Sequence, residues 1–116
     1  MPPVQIAAPA LLALRVPAQA RIRSRLRDNE TWLTTRCAEL TGGRLLPREG
    51  GWYALLEAWT GNDDEEFCLT LLAEDGVRLQ PGYFFDFPRR GCLALSLLTP
   101  PDDLRADVEA VLRRLG

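Results

Sequence analysis

Sixteen carboxylates and fourteen guanidinium groups carry the side-chain charge of this 116-residue chain, which has neither histidine nor lysine. Whole chemistries fall away with those two residues. Without histidine there is no neutral-pH general base of the usual kind, no Ser/His or Cys/His nucleophile pair, and the commonest metal ligand is missing. Without lysine there is no phosphate-loop cation and no Schiff base with a carbonyl substrate or cofactor. Asp, Glu, Tyr, Cys and Arg remain, a set able to run a carboxylate-pair hydrolase and little else unaided. Cys37, Cys68 and Cys92 are far apart, odd in number and never in a C-x-x-C arrangement. They indicate neither a disulfide framework nor a zinc site, and fit a reducing cytoplasm. No catalytic, cofactor-binding or metal-ligating residue is therefore assigned within the chain itself.

Three local clusters could still do chemistry. Asn62-Asp63-Asp64-Glu65-Glu66 superficially copies a calcium loop. It lacks the alternating ligand spacing and the glycine such a loop needs, and reads instead as a helix start: Asp63 as cap, Glu66 three residues on, carboxylates at the positive end of the dipole. Arg21, Arg23, Arg25 and Arg27 could be a nucleic-acid patch. Alternate residues on a helix point in different directions, so a solvated face is favoured and no DNA-reading motif is found. Pro81 to Pro88 packs Tyr83, Phe84, Phe85 and Phe87 into a proline- and glycine-bounded loop. Such rings serve either as core plugs or as the wall of a pocket or interface, and the sequence favours the plugs.

The elements that must position these residues follow from periodicity. At 47% apolar and 26% charged, with a net charge of -2, the chain suits one globular domain. Folding buries roughly two thirds of the surface of a chain this size, enough for a core without disulfides or metal. Residues 1–16 form an apolar lead segment in which Pro2, Pro3 and Pro9 confine any helix to the Ala10–Leu14 side. Ala18-Gln19-Ala20 imitates a secretory cleavage site, but Pro9 and Arg15 interrupt the apolar stretch and no basic residue precedes it. No run is long enough to span a membrane.

From Pro17, taken as a first helical position, to Leu40, an amphipathic helix is predicted with Ile22, Leu26, Asn29, Leu33, Cys37 and Leu40 on one face. Arg44–Pro47 and Trp52–Trp59 read as strands around the turn 48–51, the second apolar on both faces and so expected to be central and covered on both sides. A second helix buries Phe67, Cys68, Leu71 and Leu72 and ends at Gly76. Val77–Gln80 and Gly91–Leu98 are two further strands, the latter with Leu93, Leu95 and Leu97 on one face and Cys92, Ala94 and Ser96 on the other. Thr99 caps a last helix striped by Leu104, Val108, Leu112 and Leu115. The order predicts an α+β two-layer sandwich: a small, mainly antiparallel sheet with helices on one face and small side chains on the other.

Several of these segments, taken together and in order, carry a resemblance. Gly50-Gly51-Trp52-Tyr53-Ala54-Leu55, the helix from Glu66 to Asp75-Gly76-Val77, Gln80-Pro81-Gly82-Tyr83-Phe84-Phe85-Asp86-Phe87 and Leu93 to Pro101 resemble the C-terminal small domain of class I/II aminotransferases, pyridoxal-phosphate enzymes of fold type I. Pro3-Val4-Gln5 resembles the helix leading in from the large domain of such enzymes. The resemblance implies residues 1–16 as a lead from a missing large domain, residues 17–116 as the small domain, and a cytoplasmic homodimer that exchanges an amino group between an amino acid and a 2-oxo acid. It implies a chain inactive alone, since the cofactor's lysine and its aspartate partner belong to the large domain. It places Trp52, Tyr83 and Phe84 on the substrate side of the cleft. Ala94 stands where the family commonly has a carboxylate-gripping arginine, two residues before the serine matched by Ser96. Arg78, Arg89 and Arg90 are candidates to replace it. Two readings from other classes remain beside this one: a stand-alone binding or dimerisation module using the small-residue sheet face, and the ligand-sensing domain of a transcription regulator.

Overall fold

The computed structural model describes residues 2–61 and 63–116, so Asn62 of the expected helix start lies outside the described residues. Helices α1 (Pro3–Ala13) and α2 (Arg15–Cys37) are followed by strands β1 (Gly43–Leu45) and β2 (Tyr53–Ala58), then α3 (Asp64–Thr70), which runs into a wider π-type turn at Leu71–Asp75. Strand β3 (Gln80–Pro81), a 3₁₀ turn at Gly82–Phe85, β4 (Cys92–Ser96) and α4 (Pro101–Leu115) complete the chain. The sheet is antiparallel throughout in the order β1-β2-β4-β3. This is the expected α+β arrangement.

Alternation along the strands divides the sheet into two faces. Ala54, Leu56, Ala58, Leu93, Leu95 and Leu97 join Leu33 and Cys37 of α2 and Leu104, Val108, Val111 and Leu112 of α4 in one buried core. On the other face Tyr53 stands opposite Ser96, Leu55 opposite Ala94 and Glu57 opposite Cys92, with Gln80 opposite Ala94 from the far side.

Two buried polar side chains fix β4 at its ends. The Asn29 amide nitrogen donates to the carbonyls of Leu97 (2.8 Å) and Thr99 (2.9 Å), pinning α2 to the strand's exit. The Asp64 carboxylate accepts from the backbone N–H of Gly91 (2.9 Å) and Cys92 (3.3 Å), and from the Thr60 hydroxyl at 3.0 Å, pinning the strand's entry to the first turn of α3. Gly91 is required where it stands: its φ is +75°, and a Cβ there would come within 2.7 Å of the Ala58 carbonyl oxygen.

Local chemistry explains where the elements depart from expectation. Helix α1 runs straight through Pro9 rather than being confined to Ala10–Leu14. The carbonyl that Pro9 leaves without its donor is on a solvent-exposed helix, where water replaces the lost bond. Pro17 sits third in α2, not first. Lacking an N–H, it leaves the Ala13 carbonyl without its i+4 donor, and the break between the helices falls there, at Leu14. Ile22 is exposed, so the buried stripe of α2 starts only at Leu26, where α2 reaches the sheet. Leu72 is exposed as well, because the π-type turn rotates it away from the core while Leu71 stays fully buried. Val77 precedes the short β3 instead of forming part of it.

Thr99 is not the cap of α4: its hydroxyl donates to the Ser96 carbonyl at 2.9 Å, and Pro100 occupies the cap position. Pro101, with no N–H, reduces the number of donors needing a cap. By contrast Asp63 caps α3 as expected, accepting from the Glu65 N–H at 3.0 Å, and Gly76 ends the following turn with φ 68°.

Replacing Asn29 by leucine would leave two carbonyls at the end of β4 buried without donors, so Asn29→Leu is expected to cost about 1–3 kcal/mol in urea unfolding despite its added apolar surface. Unchanged stability would show that this pin is dispensable.

Candidate functional site

A groove of about 430 Å³ is lined by Tyr53, Arg78, Gln80, Ala94 and Ser96 and reaches Asp107 of α4, among others. Its floor is β4. Ala94 is buried there, and its methyl side chain leaves the space above it open. β2 is central in the sheet but not covered on both sides, because Tyr53 is exposed and only partly screened by Phe85, whose ring centroid lies 4.7 Å away. Cys92, next along this face, is closed off by Gly82, where an added Cβ would come within 2.9 Å of the Cys92 Cβ.

A second groove of about 320 Å³ is lined by Asp63, Tyr83, Phe87, Arg89 and Arg90. The Tyr83 hydroxyl donates to Glu65 at 2.6 Å, and this bond to a carboxylate, more than burial, pushes the phenol up to about 12. Arg89 donates to Glu57 at 3.1 Å.

The four residues singled out by resemblance are thus not gathered in one place. Ala94 is in the first groove; Trp52 reaches it only through Tyr53, at a ring separation of 6.4 Å. Tyr83 lines the second groove, and Phe84 packs edge-on against Tyr83 at 4.9 Å. Tyr83, Phe84 and Phe85 are all exposed, which overturns the core-plug reading of this loop. These rings sit in the 3₁₀ turn Gly82–Phe85 beside edge strand β3, where only Gly82 is buried. Sequence reasoning passed over Tyr53 and Phe85. The signal for Tyr53 was there in its alternation with Ala54, which sets it on the face of Leu55 and Glu57; for Phe85 there was none, because a loop has no period. Of the candidate arginines, Arg78 shares the groove with Ala94, while Arg89 is tied to Glu57 and Arg90 lies in the second groove.

The thiols offer no nucleophile. All three cysteines are free and buried. Burial, reinforced by Asp64 and Glu65, pushes Cys68 up to about 11; burial, reinforced by Glu57 and Asp64 and opposed by Arg89, does the same for Cys92. Burial also raises Cys37. At neutral pH these groups are protonated and unreactive.

With the geometry in hand, comparison with known proteins gives a consistent answer. No family model matches the chain. It is 35% identical over 74 residues to the valine–pyruvate aminotransferase of Mycobacterium tuberculosis, a match covering 63% of this chain and 18% of that protein. Its fold matches an aspartate aminotransferase from Thermotoga maritima with a TM-score of 0.69 and 26% identity, over 88% of this chain and 26% of that one. A PLP-dependent aminotransferase from Streptococcus suis gives a TM-score of 0.66 and 25% identity, over 84% and 26%. The chain therefore resembles, in sequence and in fold, the C-terminal small domain of the pyridoxal-phosphate-dependent aminotransferases, and it spans about a quarter of the length of those solved structures.

In the native chain at neutral pH, a disulfide reagent such as 5,5′-dithiobis(2-nitrobenzoate) is expected to react far more slowly than with the chain unfolded in guanidinium, where all three thiols titrate. A native thiol reacting at the unfolded rate would contradict the burial of these groups.

Proposed function

We propose that this chain serves as the C-terminal small domain of an enzyme that moves an amino group between an amino acid and a 2-oxo acid. The observation that carries the reading is the sheet itself: β4 presents Ala94 and Ser96 at the floor of an open groove, in the sequence context where aminotransferases commonly place their carboxylate-binding arginine. The similarity to aminotransferases over most of the chain supports it.

The residues present do not fit pyridoxal phosphate on their own, because the chain has no lysine to hold it. Its anchorage, and the electron-sink chemistry it supplies, are assigned to a large domain outside this chain. What this chain contributes is one wall of the cleft. Closing over the substrate, it excludes water and brings Trp52, Tyr83 and Phe84 to the substrate side, with Ala94 leaving room where an arginine would reach in. Residues 1–16, in α1 and its exposed apolar side chains, are the lead from that large domain, and residues 17–116 are the small domain. Assembly as a homodimer in the cytoplasm completes the reading. Partners are the large domain and the amino-acid and 2-oxo-acid substrates. No role for nucleic acid or membrane is proposed, and among the described residues no helix is long and apolar enough to cross a membrane.

Incubated with pyridoxal phosphate and then reduced with borohydride, the chain is expected to show no stoichiometric adduct on any internal side chain by mass spectrometry. Such an adduct would overturn the assignment of cofactor anchorage to another domain.

A further inference from the structure

We propose that the groove over Ala94 binds a monocarboxylate with an apolar or aromatic side chain, Arg78 taking the carboxylate and the Tyr53–Phe85 ring pair taking the side chain; calling this ligand the substrate rests on the aminotransferase reading. Register sets the geometry. Gln80 lies opposite Ala94 across the β3–β4 ladder, and Arg78, two residues before it, lines the same groove together with Ser96 and Tyr53. Arg78 sits in the segment leading into β3, so a cation arrives over β4 from the neighbouring edge instead of rising from β4 itself. The methyl group at Ala94 leaves it room.

The guanidinium of Arg78 is available. Arg36, Arg44, Arg48, Arg89 and Arg114 each have a carboxylate partner, whereas Arg78 has no ion pair among the described residues. Asp107 is the other charged group lining this groove, and it is not neutralised by Arg78: burial and the charge of Asp103 raise its carboxyl, and no cation opposes them. A planar guanidinium with free donors is suited to bidentate binding of a carboxylate.

The remaining surface selects among carboxylates. Asp107 would face any second carboxylate in the groove, which disfavours a dicarboxylic ligand. Tyr53 lines the groove, and Phe85 packs against it with both rings partly open to solvent, giving an apolar side chain an aromatic surface to cover.

The test is an NMR titration of the 116-residue chain, without cofactor, using phenylacetate, acetate, succinate and the uncharged phenylacetamide as probes. Phenylacetate is expected to bind best, with shifts centred on Gln80, Ser96 and the Arg78 side chain. Arg78→Gln, at an exposed position, is expected to weaken it about tenfold or more, as loss of a charge-assisted hydrogen bond should. Tyr53→Ala is expected to weaken phenylacetate while leaving acetate unchanged. The proposal is overturned if binding survives Arg78→Gln, if phenylacetamide binds equally well, if the shifts centre on Arg90, or if no probe shifts the groove. Any of those results leaves the aminotransferase reading standing, since that reading is judged on cofactor anchorage.

Discussion

Strand β4 is held at both ends, and the rest of the molecule is arranged around that constraint. At its entry the buried Asp64 carboxylate takes the N–H groups of Gly91 and Cys92; at its exit the buried Asn29 amide supplies donors to the carbonyls of Leu97 and Thr99. Each pin joins the strand to a different helix, so the first turn of α3 and the middle of α2 are placed relative to the same five residues. Buried polar groups carry this weight because leaving any of these backbone groups unpaired away from water is costly. With β4 fixed, pairing to β2 and β3 sets the sheet and its two faces.

Those faces have different work. Leu93, Leu95 and Leu97 fill the layer between the sheet and helices α2 and α4, where close packing leaves little freedom of substitution. Cys92, Ala94 and Ser96 are small, and above Ala94 and Ser96 the surface stays open as a groove. The same period-two alternation that builds the core therefore also builds a recess on its reverse side. Around that recess the aromatic turn at Gly82–Phe85 and the exposed rings of Trp52 and Tyr53 leave apolar surface facing solvent, as expected of a domain face that works against something else.

Much of this was legible in the residues, and what was not has a physical reason. The leucines of β4, the stripe of α4, the Asp63 cap and the left-handed Gly76 follow from periodicity and end chemistry, which act locally. The element order was sufficient for the fold class. Asn29 could be placed on the buried face of α2, but its partners could not, since they lie 68 and 70 residues away. Asp64 read as one of the helix-start carboxylates at the positive end of the α3 dipole; only the tertiary fold brings the Gly91 N–H to it. Prolines misled in both directions, because an exposed helix tolerates Pro9 while Pro17 acts four residues upstream, on the Ala13 carbonyl. The aromatic loop was the hardest segment: with no period to assign a face, its exposure was decided by a 3₁₀ turn that sequence patterning does not announce. For the site, Ala94 was found by its position in a motif; Tyr53 was marked by its alternation with Ala54 but passed over, and Phe85, in a 3₁₀ turn, carried no periodic signal.

The central claim is that this chain supplies one wall of a cleft whose cofactor is held by another domain. The most direct measurement is the genomic sequence immediately upstream of the Met1 codon, read in frame. The expected result is an open frame encoding a larger domain with a lysine placed to hold pyridoxal phosphate. An in-frame stop directly upstream of a ribosome-binding site would contradict the claim.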